Sequence, residues 1–227
     1  CASYCVQDSV LVLDLIHKLN YVPNLFEMAK TTWVPLEWLI FRGQQCKVFS
    51  LIVKKANENG YVVHSAEKDK SESFQGAKVI EPQTGMHFVP VGALDFASLY
   101  PSIMISSNLC YSTYIANDEM MKYVIENGIP YHTIEWEDND ILNTKHSYSF
   151  VQYTDNKGAV LEKGVRGILP EILEELWKGR KATKKLMAKE ADLFKKALFN
   201  GKQLAQKVTM NSVYGFTGAT ESGILPF

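Results

Sequence analysis

Apolar residues return at helical spacing near the start of the chain. Leu11, Leu15, Ile16 and Leu19 recur at helical spacing, which predicts an amphipathic helix over residues 4–19. A second helical stretch carries Leu36, Leu39 and Ile40 into Arg42-Gly43-Gln44-Gln45, and residues 48–56 read as helical again. Residues 64–76 are polar and rich in turn formers, the texture of a surface linker. Residues 88–96 are almost continuously apolar, which predicts a strand buried on both faces. A short helix is expected over 98–107, with Pro101 tolerated in its first turn. Residues 117–163 are acidic and irregular and read as short strands or loops. From Gly167 the period is helical: a long helix over 168–191, with Pro170 in its first turn, and a second over 201–214. The two form an antiparallel hairpin, its turn expected near Phe199-Asn200-Gly201 or just before. No internal repeat is present.

The 227 residues suit one large domain or two smaller ones. The formal net charge is −1, so no global basic field announces a polyanionic partner. No apolar run approaches the roughly 20 residues of a membrane helix, and the opening CASYCVQDSV lacks the basic start and apolar run of a secretory signal. Cys1, Cys5, Cys46 and Cys110 are scattered without a C-x-x-C pair, which suggests reduced thiols and no structural zinc. The expectation is an intracellular protein, not secreted and without a membrane partner. The chain opens on Cys1 and closes on Gly223-Ile224-Leu225-Pro226-Phe227, which suggests a piece of something longer.

The balanced average hides a basic hairpin. Arg166, Lys178, Arg180, Lys181, Lys184, Lys185, Lys189, Lys195, Lys196, Lys202 and Lys207 face only Glu171, Glu174, Glu175, Glu190 and Asp192. Read alone, such a pair is as readily a solvated face. Gln203, Lys207, Asn211 and Tyr214, however, share one face of the second helix, and Arg180 and Lys184 share a face of the first. With a turn centred near residue 195 or 196, Lys184 and Lys207 would stand at equal height. Converging cations repel unless an anion neutralises them, and a polyphosphate suits the set. Arg180 would grip it through its planar fork and the lysines as point charges. Tyr214 offers a ring on which a base can stack.

The strand expected over 88–96 runs into Asp95-Phe96-Ala97-Ser98-Leu99-Tyr100-Pro101-Ser102-Ile103-Met104. A carboxylate closing a buried strand is costly unless paired. Asp95 can bind Mg²⁺, with the Phe96 carbonyl as a second hard oxygen. Backbone N–H groups at Ser98, Leu99 and Tyr100 can cradle phosphate oxygens. The Tyr100 ring could press on a sugar and exclude a 2′-hydroxyl. The plainer alternative is an exposed strand end followed by an ordinary Tyr-Pro turn.

DFASLYPSIM and Lys207-Val208-Thr209-Met210-Asn211-Ser212-Val213-Tyr214-Gly215 resemble motifs A and B of family B DNA polymerases of the delta-like type. Arg42-Gly43-Gln44-Gln45, Val79-Ile80-Glu81-Pro82, Gly167-Ile168-Leu169-Pro170 and Phe216-Thr217-Gly218-Ala219 extend the resemblance, in order, over nearly the whole chain. It implies an α+β fold: a palm of mixed sheet and helices, helical-hairpin fingers, and the end of an exonuclease domain at the N-terminus. The implied boundaries are exonuclease end 1–30, connecting helices and linker 31–83, palm with an acidic insertion 84–165, fingers 166–215, and a return to palm 216–227. By resemblance Asp95 and Lys207 are catalytic. Ser98, Leu99, Tyr100, Arg180, Lys184, Lys207, Asn211 and Tyr214 bind the nucleotide, with Tyr100 as sugar gate and Tyr214 at the nascent base pair. Tyr4-Cys5-Val6-Gln7-Asp8 resembles the third motif of the family's 3′→5′ proofreading exonuclease, with Asp8 a metal ligand and Tyr4 orienting water. A surface helix pair is the commoner reading of Y-x-x-x-D.

Three departures qualify the match. The linker motif, which usually starts with Tyr, reads Phe74-Gln75-Gly76-Ala77, so a hydroxyl that couples synthesis to editing is missing. The acidic segment 114–165 is longer than in cellular delta-like enzymes and resembles versions in large DNA viruses, including algal ones. The family's Tyr-Gly-Asp-Thr-Asp strand, source of the second carboxylate of a two-metal Mg²⁺ site, is absent from these residues. The implied function is template-directed addition of deoxynucleotides to a primer 3′-hydroxyl with release of pyrophosphate. The parent would proofread, and this piece alone would be inactive. The implied partners are primer–template DNA and deoxynucleoside triphosphates, with a sliding clamp and accessory subunits as further candidates. The implied place is the host nucleus or a viral replication site. The alternative is a non-catalytic, polymerase-derived DNA-binding or scaffold protein.

Overall fold

The structure is a computed structural model that describes residues 2–63, 79–137, 145–155 and 157–217. It combines helices with one small sheet, the α+β composition expected. The expected linker 64–76 lies outside the described residues.

Helix α1 (Ala2–Lys18) follows the first apolar repeat, yet buries none of its residues. Helix α2 (Tyr21–Thr32) was not expected from the sequence. Left-handed Asn20 and Trp33 bound it, and Pro23 occupies its first turn, so it reads as punctuation although proline is tolerated there. Helices α3 (Leu36–Phe41) and α4 (Gln45–Glu58) lie where the pattern placed them. Val48, Leu51, Ile52 and Ala56 form the buried face of α4.

Residues 88–96 correct the expectation of a buried strand. They form no regular element and belong to no sheet, with a bend at Val89, and Phe88, Val89, Val91, Leu94 and Phe96 are exposed. A strand needs a neighbour to take its N–H and C=O groups, and among the described residues none lies alongside. Apolar continuity announces a two-faced environment without supplying it. The short helix α5 (Leu99–Ser106) follows as expected, with Pro101 in its first turn.

The acidic region is more regular than expected. Strands β1 (Tyr114–Ile115), β2 (Tyr131–Glu137) and β3 (Lys145–Val151) pair antiparallel in the order β1-β3-β2, with His132 opposite Phe150 and Trp136 opposite His146. Between β1 and β2 runs helix α6 (Asp118–Glu126), a correction to the reading of strands and loops alone. Its start was legible: Asn117 accepts from the Met120 N–H at 2.9 Å, and Asp118 and Glu119 fill the first turn.

Helices α7 (Ile168–Lys189) and α8 (Leu193–Thr217) make the hairpin. Its turn is at 190–192, several residues before the expected place. Asp192 Oδ1 accepts from the N–H groups of Phe194 and Lys195 at 2.8 and 3.0 Å and so starts α8. Helix α8 also runs past residue 215, through Phe216 and Thr217. The core lies where the hairpin crosses α4 and α5, with Leu169, Leu173, Met210 and Val213 almost wholly buried beside Val48 and Met104. Each such side chain contributes about 1.5–3 kcal/mol on leaving water. At the α4–α7 seam Lys55 lies 2.6 Å from Glu175, 3.1 Å from Glu58 and 3.6 Å from Glu171. Burial alone would lower its ammonium pKa; the carboxylates of Glu175, Glu58 and Glu171 outweigh it and hold the pKa well above the lysine range.

One buried side chain joins α5, the sheet and the hairpin. Asn108, only 2 % exposed and left-handed at φ 50°, donates from Nδ2 to the carbonyls of Val151 (2.8 Å) and Val165 (2.7 Å). Its Oδ1 accepts from the Gly167 N–H at 2.9 Å. A Cβ at Gly167 would lie 2.6 Å from Cys110 Cβ, so glycine is what allows α7 to start this close. Asn108→Ala strands two carbonyls and an N–H and keeps a strained backbone. Urea denaturation should show a loss of roughly 2–4 kcal/mol; a loss below about 1 kcal/mol would contradict this role.

Candidate nucleotide site

The helix start at α5 is bent into place by Ser98, which is left-handed at φ 55°. Ser102 Oγ donates to the Ala97 carbonyl at 3.0 Å and fastens the turn. The first N–H groups of the helix, at Leu99 and Tyr100, have no carbonyl a turn earlier to take them. The Tyr100 ring then stacks on that of Tyr214 from α8, with centroids 3.9 Å apart and planes 15° from parallel. Two residues more than a hundred positions apart in sequence, each assigned to the site from sequence, meet in space. Burial, and then the Tyr100 hydroxyl beside it, push the Tyr214 phenol above the ordinary tyrosine range.

The cations are arranged differently from the expectation. Arg180 Nε donates to Gln203 Oε1 at 3.2 Å, and Gln203 Nε2 donates to Asn200 Oδ1 at 3.0 Å. Arg180 therefore stands level with Gln203. Lys184 lies one turn nearer the hairpin tip and Lys207 one turn nearer the base. Lys184 and Lys207 are thus not at equal height; they differ by roughly 12 Å along the axis, at 1.5 Å per residue. The cause is the earlier turn. The set is a ladder: Lys184, Arg180, Lys207, Asn211 and Tyr214 descend one face, about a turn apart, and end at Tyr100. Lys184 and Lys207 are exposed. Among the described residues no carboxylate forms an ion pair with Arg180, Lys184 or Lys207. An elongated anion, or one that the ladder closes upon, suits this better than a compact one held at a single height.

Beside the tyrosines a cleft of about 200 Å³ is lined by Ser98, Pro101, Ser102, Ile105, Trp177 and Met210. Trp177 and Met210 were missed by the sequence reading. The available signal was position: Trp177 precedes Arg180 by three and Met210 precedes Asn211 by one.

Asp95 is exposed, on the irregular segment just before α5. Its carboxylate and the Phe96 carbonyl are hard oxygen donors of the kind Mg²⁺ takes. Among the described residues, however, no group of three or more His, Cys, Asp or Glu side chains could hold a metal. Two such donors do not make a complete site. Tyr4 and Asp8 lie four apart on α1 and are exposed, and the same absence applies there.

The fold is that of a family B DNA polymerase. The structure of the family B DNA polymerase from the hyperthermophilic archaeon Pyrobaculum calidifontis superposes with a TM-score of 0.61, covering 94% of this chain and 25% of that one at 24% identity. The sequence carries the relationship further. Residues 34–227 match the family described as DNA polymerase family B, and the chain belongs to that family. It is 42% identical over 227 residues to the DNA polymerase delta catalytic subunit of Plasmodium falciparum, covering 99% of this chain and 19% of that protein. It is 41% identical to that of Drosophila melanogaster, again covering 99% and 19%. The chain thus spans about a fifth of the length of these relatives.

The ring stack has a spectroscopic signature. In an absorbance titration of phenolate, the difference between the wild-type chain and Tyr214→Phe should show one tyrosine ionising above about pH 10, the ordinary value. The same difference taken in a Tyr100→Ala background should move down. An unshifted titration in both backgrounds would contradict the contact.

Proposed function

We propose that this segment is the palm and fingers portion of a replicative DNA polymerase of the delta type. The observation that carries the proposal is the stack of Tyr100 on Tyr214 at the foot of the cation ladder, in a chain of this family. The reaction is attack of a primer 3′-hydroxyl on the α-phosphate of a deoxynucleoside triphosphate templated by DNA, with pyrophosphate leaving. Arg180, Lys184 and Lys207 run along the triphosphate and neutralise charge as the pyrophosphate departs, and Lys207 stands closest to the tyrosines. Positioning and charge stabilisation of this sort supply most of the rate in phosphoryl transfer. Ser98, Leu99 and Tyr100 present backbone N–H groups to phosphate oxygens, and Asn211 fixes the nucleotide beside them. The Tyr100 ring closes the space a 2′-hydroxyl would need, and Tyr214 backs it under the nascent base pair.

Asp95 and the Phe96 carbonyl are the chain's contribution to a divalent metal, Mg²⁺ in this proposal. A bound pair of such ions would activate the attacking oxygen and stabilise the leaving one. The described residues do not complete that site, so the 227-residue chain alone is proposed to be inactive. In the domain division proposed, 1–30 ends a proofreading exonuclease that uses Tyr4 and Asp8, 31–83 connects, 84–165 is palm, 166–215 is fingers and 216–227 returns to palm. Primer–template DNA, a sliding clamp and accessory subunits are the proposed partners, in a nucleus or at a viral replication site. The length of the acidic segment supports a source among large DNA viruses. The other reading is a non-catalytic, polymerase-derived DNA-binding or scaffold protein.

Primer extension decides between them. In the full polymerase, Asp95→Ala should abolish extension while DNA binding persists. Arg180→Ala should lower kcat/KM by about 100-fold or more. Tyr100→Ala should raise ribonucleotide incorporation by about tenfold or more. Undiminished extension by Asp95→Ala would remove the metal assignment, and unchanged sugar selectivity would remove the gate. Extension by the isolated chain would refute its inactivity.

A further inference from the structure

A second cavity, of about 260 Å³, opens where α2, α4, α7 and α8 meet. None of its lining residues belongs to the cation ladder or the tyrosine pair. Its charge is uneven, with Lys30, Lys54, Lys55 and Lys202 against Glu27 and Glu175. Both acids are already engaged, Glu27 by Lys30 at 3.4 Å and Glu175 by Lys55 at 2.6 Å. Lys54 reaches Glu58 at 3.3 Å and lies 4.2 Å from the centroid of the Trp33 ring. Lys202 has no ion-pair partner among the described residues. Glu58 and Glu171 flank Lys54 and Lys55 as well, so the other lysines are matched and Lys202 is the cation left for an anion to answer.

A second, independent demand comes from Gln206. It is one turn along α8 from Lys202, on the same face, and only 7 % exposed. Its Oε1 is buried and accepts no hydrogen bond. Such an atom is costly unless a donor reaches it. The side chain has a prepared place: a Cβ at residue 179 would lie 2.8 Å from Gln206 Nε2, so Gly179 lets the amide pack against α7. Leu51, Ile172 and Leu176 supply apolar wall, and Trp33 stands on the rim, held left-handed at φ 56° with its ring largely exposed.

A ligand that meets all three features carries an anion, an N–H or O–H donor that reaches one helical turn further along α8, and a flat body. A bare phosphate meets only the first. We propose that this cavity binds a nucleoside 5′-phosphate unit, its phosphate on Lys202 and Lys30 and a base or sugar donor on Gln206 Oε1. The unit is either a free mononucleotide or one residue of a single strand. The site does not depend on the polymerase reading.

The test is calorimetric titration of the 227-residue chain with dCMP, inorganic phosphate and a deoxycytidine pentanucleotide. Saturable dCMP binding, tighter than phosphate, is expected. Lys202→Ala, at an exposed position, should weaken it about tenfold by removing a charge-assisted contact, and Gln206→Met should weaken it with the fold verified by melting. Lys122→Ala, on α6 and not among the residues lining the cavity, should leave it unchanged. Either ranking of the two nucleotide probes supports the site: tighter pentanucleotide binding identifies a strand, equal or weaker binding a free nucleotide. Absence of saturable binding, equal affinity for phosphate and dCMP, or loss in Lys122→Ala but not in Lys202→Ala would overturn it.

Discussion

The amide of Asn108 is the constraint on which the arrangement depends. It fixes the end of the sheet at Val151, the approach to the hairpin at Val165 and the first turn of α7 at Gly167. It also sits just beyond α5, so the helix that carries Tyr100 and the helix that carries Arg180 are anchored to one residue. Buried amides with all partners supplied are geometrically exacting, because each bond fixes a direction as well as a distance. The apolar core beside it could tolerate small slides of α7 over α4; the three bonds cannot. The left-handed backbone at Asn108 costs little, since Asn tolerates that region better than most residues.

From that anchor the hairpin projects as a lever. Its base is held in the core by Leu169, Leu173, Met210 and Val213, and its outer half is exposed and rich in lysine, with Leu186, Leu193 and Phe194 also on its surface. Among the described residues, Arg180 is the rung tied across the hairpin by a side-chain hydrogen bond, through Gln203. That bond and the turn at 190–192 together fix the register of α7 against α8, and with it the height of the other rungs. A set of unpaired cations is held against mutual repulsion by core burial at the base, and a polyphosphate would relieve the repulsion on arrival.

Legibility differed from element to element. The helices α1, α4, α5, α7 and much of α8 were visible because helical periodicity is local. Helix α2 was hidden by Pro23 and by the left-handed residues that bound it. Helix α6 was signalled by Asn117-Asp118-Glu119, but the surrounding acidity obscured the cap. The hairpin turn was misplaced by taking Asn200-Gly201 as the breaker; Gly201 is buried in α8, beside Asn24 of α2, where the absence of a side chain permits close approach. The site residues were legible as types and faces, since Gln203, Lys207, Asn211 and Tyr214 share a face by arithmetic alone.

The sequence by itself determined the chemistry on offer: an acid ahead of a Tyr-Pro turn, a basic helix pair and the family these belong to. Those features are carried by residue identity and short-range spacing. Only the tertiary structure decided that Tyr100 meets Tyr214, that Lys184 and Lys207 stand on different rungs, and that Gln206 faces a cavity. These depend on the register between separate elements, which is fixed by the turn at 190–192, by the Arg180–Gln203 bond and by Asn108. The expected strand at 88–96 illustrates the same point from the other side. Apolar residues state a need for neighbours, and whether a strand forms depends on a partner elsewhere in space.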